Sequence, residues 1–323
     1  MPIIDSEFQP AHWCRNPHVQ TLWPYLFRFS PRPDYVRERL ELIDGDFLDL
    51  DWYNPIGSGP LVVVMHGLEG CSHSHYVRGM VGALAERGYR SAVMHHRGCS
   101  GEPNRLDRSY HGGETADLNT VINVMHDREP QTSMGIIGYS LGGNMLLKWL
   151  SENPATNLVK AAVAVSVPFL LAEGAKRMEQ GLSRIYQWRL LALMKKSFEK
   201  KFAERRGPID PRKIRKCRTF WHFDDQVTGP LHGFTGAEDY YARCSSRQFL
   251  KTIKTETLIM HALDDPLMTP AVVPSEAELS DKVIIELSRH GGHVGFVTGS
   301  PWRPRYWLDF RVAEYLSKKL QPI

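Results

Sequence analysis

Residues 134–150 constrain the fold more than any other stretch of the chain. Met134-Gly135-Ile136-Ile137 is a short apolar run that reads as a buried strand. Leu141 to Leu150 reads as a helix with Met145, Leu146, Trp149 and Leu150 on one apolar face. Between them stands Gly138-Tyr139-Ser140-Leu141-Gly142, a G-x-S-x-G pentapeptide. The pentapeptide alone is a weak signal, because Gly and Ser are common. Its flanks make it specific: strand, tight turn and helix are the setting in which this motif lifts a serine hydroxyl clear of a sheet, on a backbone that glycines allow to strain.

The rest of the chain repeats the alternation of strand and helix. Arg39 to Ile43 and Phe47 to Tyr53 read as strands around the turn Asp44-Gly45-Asp46. Leu61 to Met65 is a continuous apolar run of the kind buried on both faces. A helix from Tyr76 to Arg87 closes at Gly88, a strand follows at Tyr89 to Met94, and a helix at Glu114 to His126. A further strand at Val159 to Val167 follows the elbow helix.

Residues 169–250 break the pattern with a long helical stretch, Leu182 to Phe202, and the breaks Gly207-Pro208 and Gly229-Pro230. Strands resume at Thr257 to Ala262 and Val283 to Leu287, with a helix near Tyr306 to Leu320. The expected architecture is a single α/β domain with a mostly parallel eight-stranded sheet flanked by helices. Its core spans about 35–168 and 251–323, a helical cap is inserted at about 169–250, and residues 1–34 pack on the core.

A composition of 42% hydrophobic and 24% charged residues over 323 positions supports a large core, and a net charge of +4 gives no ground for a nucleic-acid partner. The five cysteines are scattered and contain no CxxC, which argues against a disulfide framework or zinc ribbon and for a reducing compartment. Met1 to Cys14 carries Asp5, Glu7 and His12 and no apolar leader core. The longest apolar stretch, Ala161 to Ala172, is interrupted by Ser166 and Pro168 and is too short for a bilayer. A cytoplasmic, soluble protein without an integral membrane segment is expected.

A serine hydroxyl is a poor nucleophile unless a base lies within hydrogen-bond reach and a third group orients that base. On an elbow of this type the acid and the histidine follow the serine in chain order. Asp264-Asp265-Pro266 follows the strand Thr257 to Ala262. Either aspartate is a candidate, and Asp265 is preferred because Asp265-Pro266-Leu267-Met268 fits the Asp-x-apolar-apolar turn. His290-Gly291-Gly292-His293 follows the last strand, and His293 is the candidate base, since glycines at 291, 292 and 295 let its loop fold back over the sheet. His290 reads as structural.

The Leu141 N–H, just after the nucleophile, and the Leu68 N–H, in the loop His66-Gly67-Leu68-Glu69-Gly70, are the candidate oxyanion donors. An ordinary glycine-rich strand-to-helix turn is the alternative reading of that loop, and its place in the chain order argues for the functional one. His290 and His293 have no third ligand at a metal spacing, and the chemistry asks for no metal or organic cofactor.

Taken together, His66 to Gly70, Arg97 to Asn104, Gly138 to Asn144, Asp264-Asp265-Pro266 and His290 to Phe296 resemble the α/β-hydrolases. Within them they are similar to the YheT-type hydrolases (AB hydrolase family 4), over nearly the whole chain and including Asn16-Pro17-His18-Val19-Gln20-Thr21. The resemblance implies a bacterial cytoplasmic carboxylic ester hydrolase with the triad Ser140, Asp265 and His293. Eukaryotic members of the family include membrane-associated enzymes acting on lipid esters, but no N-terminal anchor like theirs is read here.

A serine esterase working through an acyl-enzyme on a small-molecule or lipid-like ester is therefore expected. An acyltransferase or thioesterase on the same triad is the first alternative. A catalytically silent binding module is the second, and it would have a damaged triad.

Two features have competing readings. Residues 176–218 hold fifteen Lys/Arg against four Asp/Glu, and Leu182, Ile185, Trp188, Leu191 and Met194 read as one apolar helical face. Either this is a lid over an acyl pocket that makes peripheral contact with anionic lipid, or it is a helix packed on the core with a solvated basic face, the plainer of the two. Arg97 either contacts substrate or pins its glycine-rich loop.

Overall fold

The computed structural model describes residues 2–320. Its strands are β1 (Ile3–Asp5), β2 (Val36–Glu41), β3 (Phe47–Tyr53), β4 (Leu61–Met65), β5 (Arg90–Met94), β6 (Met134–Tyr139), β7 (Ala161–Val165), β8 (Glu256–Ala262), β9 (Val283–Ser288), β10 (Val297–Ser300) and β11 (Arg303–Tyr306). The helices are α1 (Pro17–Phe27), α2 (His75–Ala85), α3 (Ala116–Arg128), α4 (Leu141–Glu152), α5 (Leu171–Arg177), α6 (Ser183–Lys201), α7 (Pro211–Lys216), the short α8 (Phe220–Phe223) and α9 (Gly229–Leu231), α10 (Ala237–Cys244) and α11 (Trp307–Lys319).

The main sheet has nine strands in the order β1-β9-β8-β7-β6-β4-β5-β3-β2. All of its strands run in one direction except β3, which pairs antiparallel with both β2 and β5. The parallel strands are near-continuous apolar runs because both faces of the sheet are covered. Successive side chains leave on opposite faces. Val63, Met65 and Ile136 therefore join the core beneath α3 and α4, while Val62, Val64 and Ile137 join the one beneath α2 and α11.

Nine strands replace the expected eight. The addition is β1, where Ile3, Ile4 and Asp5 pair in parallel with Ile285, Glu286 and Leu287. Three residues are too few to carry a periodicity, and the pairing is a tertiary event, extended by the Ser6 N–H donating to Leu287 O at 2.7 Å. Separately, β10 and β11 form an antiparallel hairpin.

Between β7 and β8 the regular elements are helices only, from α5 to the 3-10 turn Ser246–Thr252. The expected apolar face of α6 is not formed. Leu191 is buried, but Leu182, Ile185 and Trp188 are exposed, and the inward side carries Ser183, Gln187 and Phe198. The reason is geometric. Each step of three residues falls about 60° short of a turn, so the line from Leu182 to Met194 winds roughly 240° around the helix.

Arg97 is the loop-pinning residue. Its buried guanidinium donates to both oxygens of Asp117 at 2.8 and 2.6 Å, to Asp44 at 2.8 Å and to Asp46 at 2.9 Å. Asp46 in turn accepts from Asn104 Nδ2 at 2.6 Å and the Arg105 N–H at 2.8 Å, closing the 97–105 loop onto the β2–β3 turn. Removing the guanidinium leaves buried carboxylates unpaired. Arg97→Leu is expected to cost about 3–5 kcal/mol in urea unfolding. A loss under about 1 kcal/mol would return Arg97 to the substrate-contact reading.

Candidate active site

β6 runs directly into α4 through Ser140, which sits at φ 51° and ψ −118°, a conformation side-chain-bearing residues rarely adopt. The turn closes because the following backbone is bare: a Cβ at Gly142 would stand 2.5 Å from His66 O. The Ser140 N–H donates to Val165 O at 2.8 Å, which ties the elbow to β7.

The loops after β8 and β9 bring two side chains to this serine. His293 Nε2 lies 2.9 Å from Ser140 Oγ, and His293 Nδ1 lies 2.8 Å from Asp265 Oδ2. A carboxylate only accepts, so Nδ1 carries the proton and the Nε2 lone pair is left to accept from the serine hydroxyl. Asp265 is buried and its second oxygen accepts from the Leu267 N–H at 2.8 Å, so both oxygens are held.

Asp264 goes elsewhere. It accepts from the Gly292 N–H at 2.9 Å and from His290 Nδ1 at 3.2 Å, and burial raises its carboxyl pKa. It shapes the His293 loop without touching the imidazole of His293.

The loop after β4 has its donors sorted. The Gly67 N–H donates to Tyr76 Oη at 2.9 Å and the Glu69 N–H to Tyr110 Oη at 2.8 Å. Among the described residues, the Leu68 and Leu141 N–H groups have no protein acceptor. Two buried imidazoles stiffen this loop. His66 Nδ1–H donates to Gly67 O at 2.8 Å, its Nε2 accepts from the His96 N–H at 3.2 Å, and His96 Nε2–H donates to His66 O at 2.9 Å. Burial lowers both pKa values, His96 to about 4, so both rings are neutral at pH 7 and keep these tautomers. Glu69 accepts from Tyr110 Oη at 2.9 Å and from Ser197 Oγ of α6 at 2.5 Å, joining the loop to the helical insertion.

The sequence reading missed what the 16–21 segment does. Asn16 Oδ1 accepts from the His18 and Val19 N–H groups at 2.9 and 3.3 Å, and Pro17 starts α1. Thr21 Oγ1 then accepts from the His293 N–H at 2.9 Å. The fully buried Gln20 donates from Nε2 to Cys14 O at 2.6 Å and to Val297 O at 3.0 Å, and its Oε1 accepts from the Val297 N–H at 2.6 Å. Gly295 is required because a Cβ there would meet Gln20 O at 2.2 Å. The signal available in the sequence was an Asn-Pro helix start followed by a polar residue on the inward face.

Gln20→Leu strands buried polar groups at Val297 and Cys14. It is expected to lower stability by about 2–4 kcal/mol in urea unfolding and kcat for an activated ester by about 10–100-fold. Wild-type kcat in the folded variant would show that the clamp plays no part in placing His293.

Ser140, Leu141 and His293 open onto a cavity of about 430 Å³. Its walls are mainly apolar, with Leu171, Met178, Leu193, Met194, Phe198 and Phe223 supplied by the insertion. Lys201 lies on the wall too, donating to Asn104 Oδ1 at 2.7 Å and Arg108 O at 2.6 Å, and burial lowers its pKa to about 8. No group of three or more His, Cys, Asp or Glu among the described residues is arranged to hold a metal ion.

Comparison with known proteins gives consistent neighbours. Residues 60–300 match the alpha/beta hydrolase fold family. The chain is 42% identical over 321 residues to the Escherichia coli (strain K12) protein named "Putative esterase YheT", covering 98% of this chain and 94% of that one. It is 28% identical to a Bos taurus protein named phospholipase ABHD3, over 95% of this chain and 77% of the relative. Among solved structures, an esterase of Pyrococcus furiosus, Pf2001, superposes with a TM-score of 0.59 at 17% identity, over 99% of both chains. That likeness is one of fold.

Proposed function

The chain belongs to the α/β-hydrolase fold family, and from that premise we propose that it is a serine hydrolase of carboxylic esters acting through an acyl-enzyme on Ser140. Ser140 Oγ attacks the acyl carbonyl while His293 Nε2 takes its proton. Asp265 keeps the proton of the neutral ring on Nδ1 and stabilises the imidazolium that forms. The negative charge developing on the carbonyl oxygen is met by the Leu68 and Leu141 N–H groups, which are otherwise unengaged. His293 returns the proton to the leaving alcohol, and water, activated by the same imidazole, releases the acid.

The observation that carries this reading is the unbroken chain Ser140 Oγ, His293, Asp265, at 2.9 and 2.8 Å, at the mouth of an apolar cavity. The apolar walls favour a hydrocarbon acyl group over a charged one. The names of the relatives, an esterase and a phospholipase, agree with ester chemistry.

A series of p-nitrophenyl esters from acetate to palmitate tests both parts, alongside a fluorophosphonate probe. The expected result is probe labelling of Ser140 and a kcat/KM that rises with chain length until the cavity is filled. Absence of labelling in the folded protein would replace this reading with a silent binding module. Faster transfer to an added alcohol than to water would replace it with an acyltransferase.

A further inference from the structure

α6 carries apolar side chains toward the cavity and toward solvent. Leu193 and Met194 wall the cavity. Ile185 and Trp188, and Leu182 just before the helix, are exposed to solvent, Trp188 with 70% of its surface. Beside it, α1 and the residues after it present Leu22, Leu26 and Phe29, the last 92% exposed. The two groups belong to one surface. Tyr186 of α6 stacks on His18 of α1 at 5.8 Å between ring centroids, with a 3.0 Å hydrogen bond between His18 Nδ1 and Tyr186 Oη. The Arg189 guanidinium lies 5.3 Å over the Tyr25 ring and donates to its hydroxyl.

Isolated exposed apolar residues need no explanation, but four on α1 and α6, with Leu182 and Phe29 at their ends, form a patch of the kind that marks an interaction site. We propose that this α1–α6 surface docks on an anionic lipid bilayer. The charge around it selects that occupant. On this face of α6 the exposed Arg184 and Arg189 flank Ile185 and Trp188. A tryptophan and long aliphatic side chains framed by arginines match the headgroup boundary of a negatively charged membrane. A second copy of the chain matches poorly, because a two-fold contact through this patch would set the same cations against each other. No described helix is long and apolar enough to cross a membrane, so the contact is peripheral. Docking this way lays the outer face of α6 on lipid while its inner face walls the cavity beside Ser140.

Vesicle co-sedimentation tests the proposal. Vesicles of phosphatidylcholine with about 30 mol% phosphatidylglycerol are compared with pure phosphatidylcholine at low and high salt. The wild type is expected to bind the anionic vesicles, and to bind them at least tenfold more weakly at high salt or when phosphatidylglycerol is omitted. The double variant Ile185→Ser/Trp188→Ser is expected to lose at least tenfold in binding. Its unfolding midpoint and its hydrolysis of a water-soluble ester should match the wild type, since both side chains are on the surface. Arg184→Glu/Arg189→Glu is expected to weaken binding by a similar factor. No wild-type binding to anionic vesicles overturns the proposal, as does equal binding by the serine double variant. A concentration-dependent dimer that the same variant abolishes overturns it in favour of self-association.

Discussion

Alanine at position 140 is expected to lower kcat for an activated ester by about 10⁵–10⁶-fold while leaving the protein folded. The size follows from the arrangement around Ser140. In the proposed mechanism His293 and the two free N–H groups serve a nucleophile that alanine does not have, so the remaining parts would act only by binding and polarising the ester. Glycine at the same position separates catalysis from strain. Ser140 is held at φ 51°, where a Cβ is disfavoured. Ser140→Gly should therefore lose activity as completely as alanine and unfold at higher urea, by about 1 kcal/mol over the alanine variant. Stability equal to or below that of the alanine variant would mean that the elbow stores no strain at this residue.

Asp265→Asn is the second large effect, with kcat expected to fall by about 10⁴-fold. The carboxylate holds the His293 proton on Nδ1. An amide can present its N–H to that nitrogen instead, placing the proton on Nε2 and removing the lone pair that faces Ser140. Asp264→Asn should cost less than about tenfold, because an amide oxygen can still accept from the Gly292 N–H. Steady-state kinetics on the two variants, with unfolding midpoints to show that both are folded, reads the difference. Equal losses would show that the two carboxylates act as one unit, and a larger loss at Asp264 would reverse the assignment.

The sheet and the elbow were legible because their signals are local. A five-residue apolar run such as Leu61 to Met65 has few ways to be buried, and the elbow is written in consecutive residues. That Ser140, Asp265 and His293 would come together was legible as well, since each follows a recognisable strand.

What the sequence hid depends on three-dimensional proximity. β1 exists only because Ile3–Asp5 meets β9. The work of Gln20 and Thr21 depends on α1 lying against the His293 loop, and the Asn16-Pro17 helix start does not say what the helix packs against. Arg97 could have faced substrate or carboxylates, and the choice rests on Asp44, Asp46 and Asp117, which converge from two other segments. At α6 the local pattern misleads for another reason. Five apolar residues spaced by threes resemble a helical face when counted, but not when projected around the axis.

The proposed mechanism passes through a covalent acyl group on Ser140. The direct measurement is acid quenching of the enzyme during turnover of p-nitrophenyl butyrate, followed by peptide mass spectrometry. The expected result is a butyryl adduct on the peptide bearing Ser140, present during turnover and gone when the ester is exhausted. Sustained turnover with that peptide unmodified, or with the acyl group on another side chain, would contradict it.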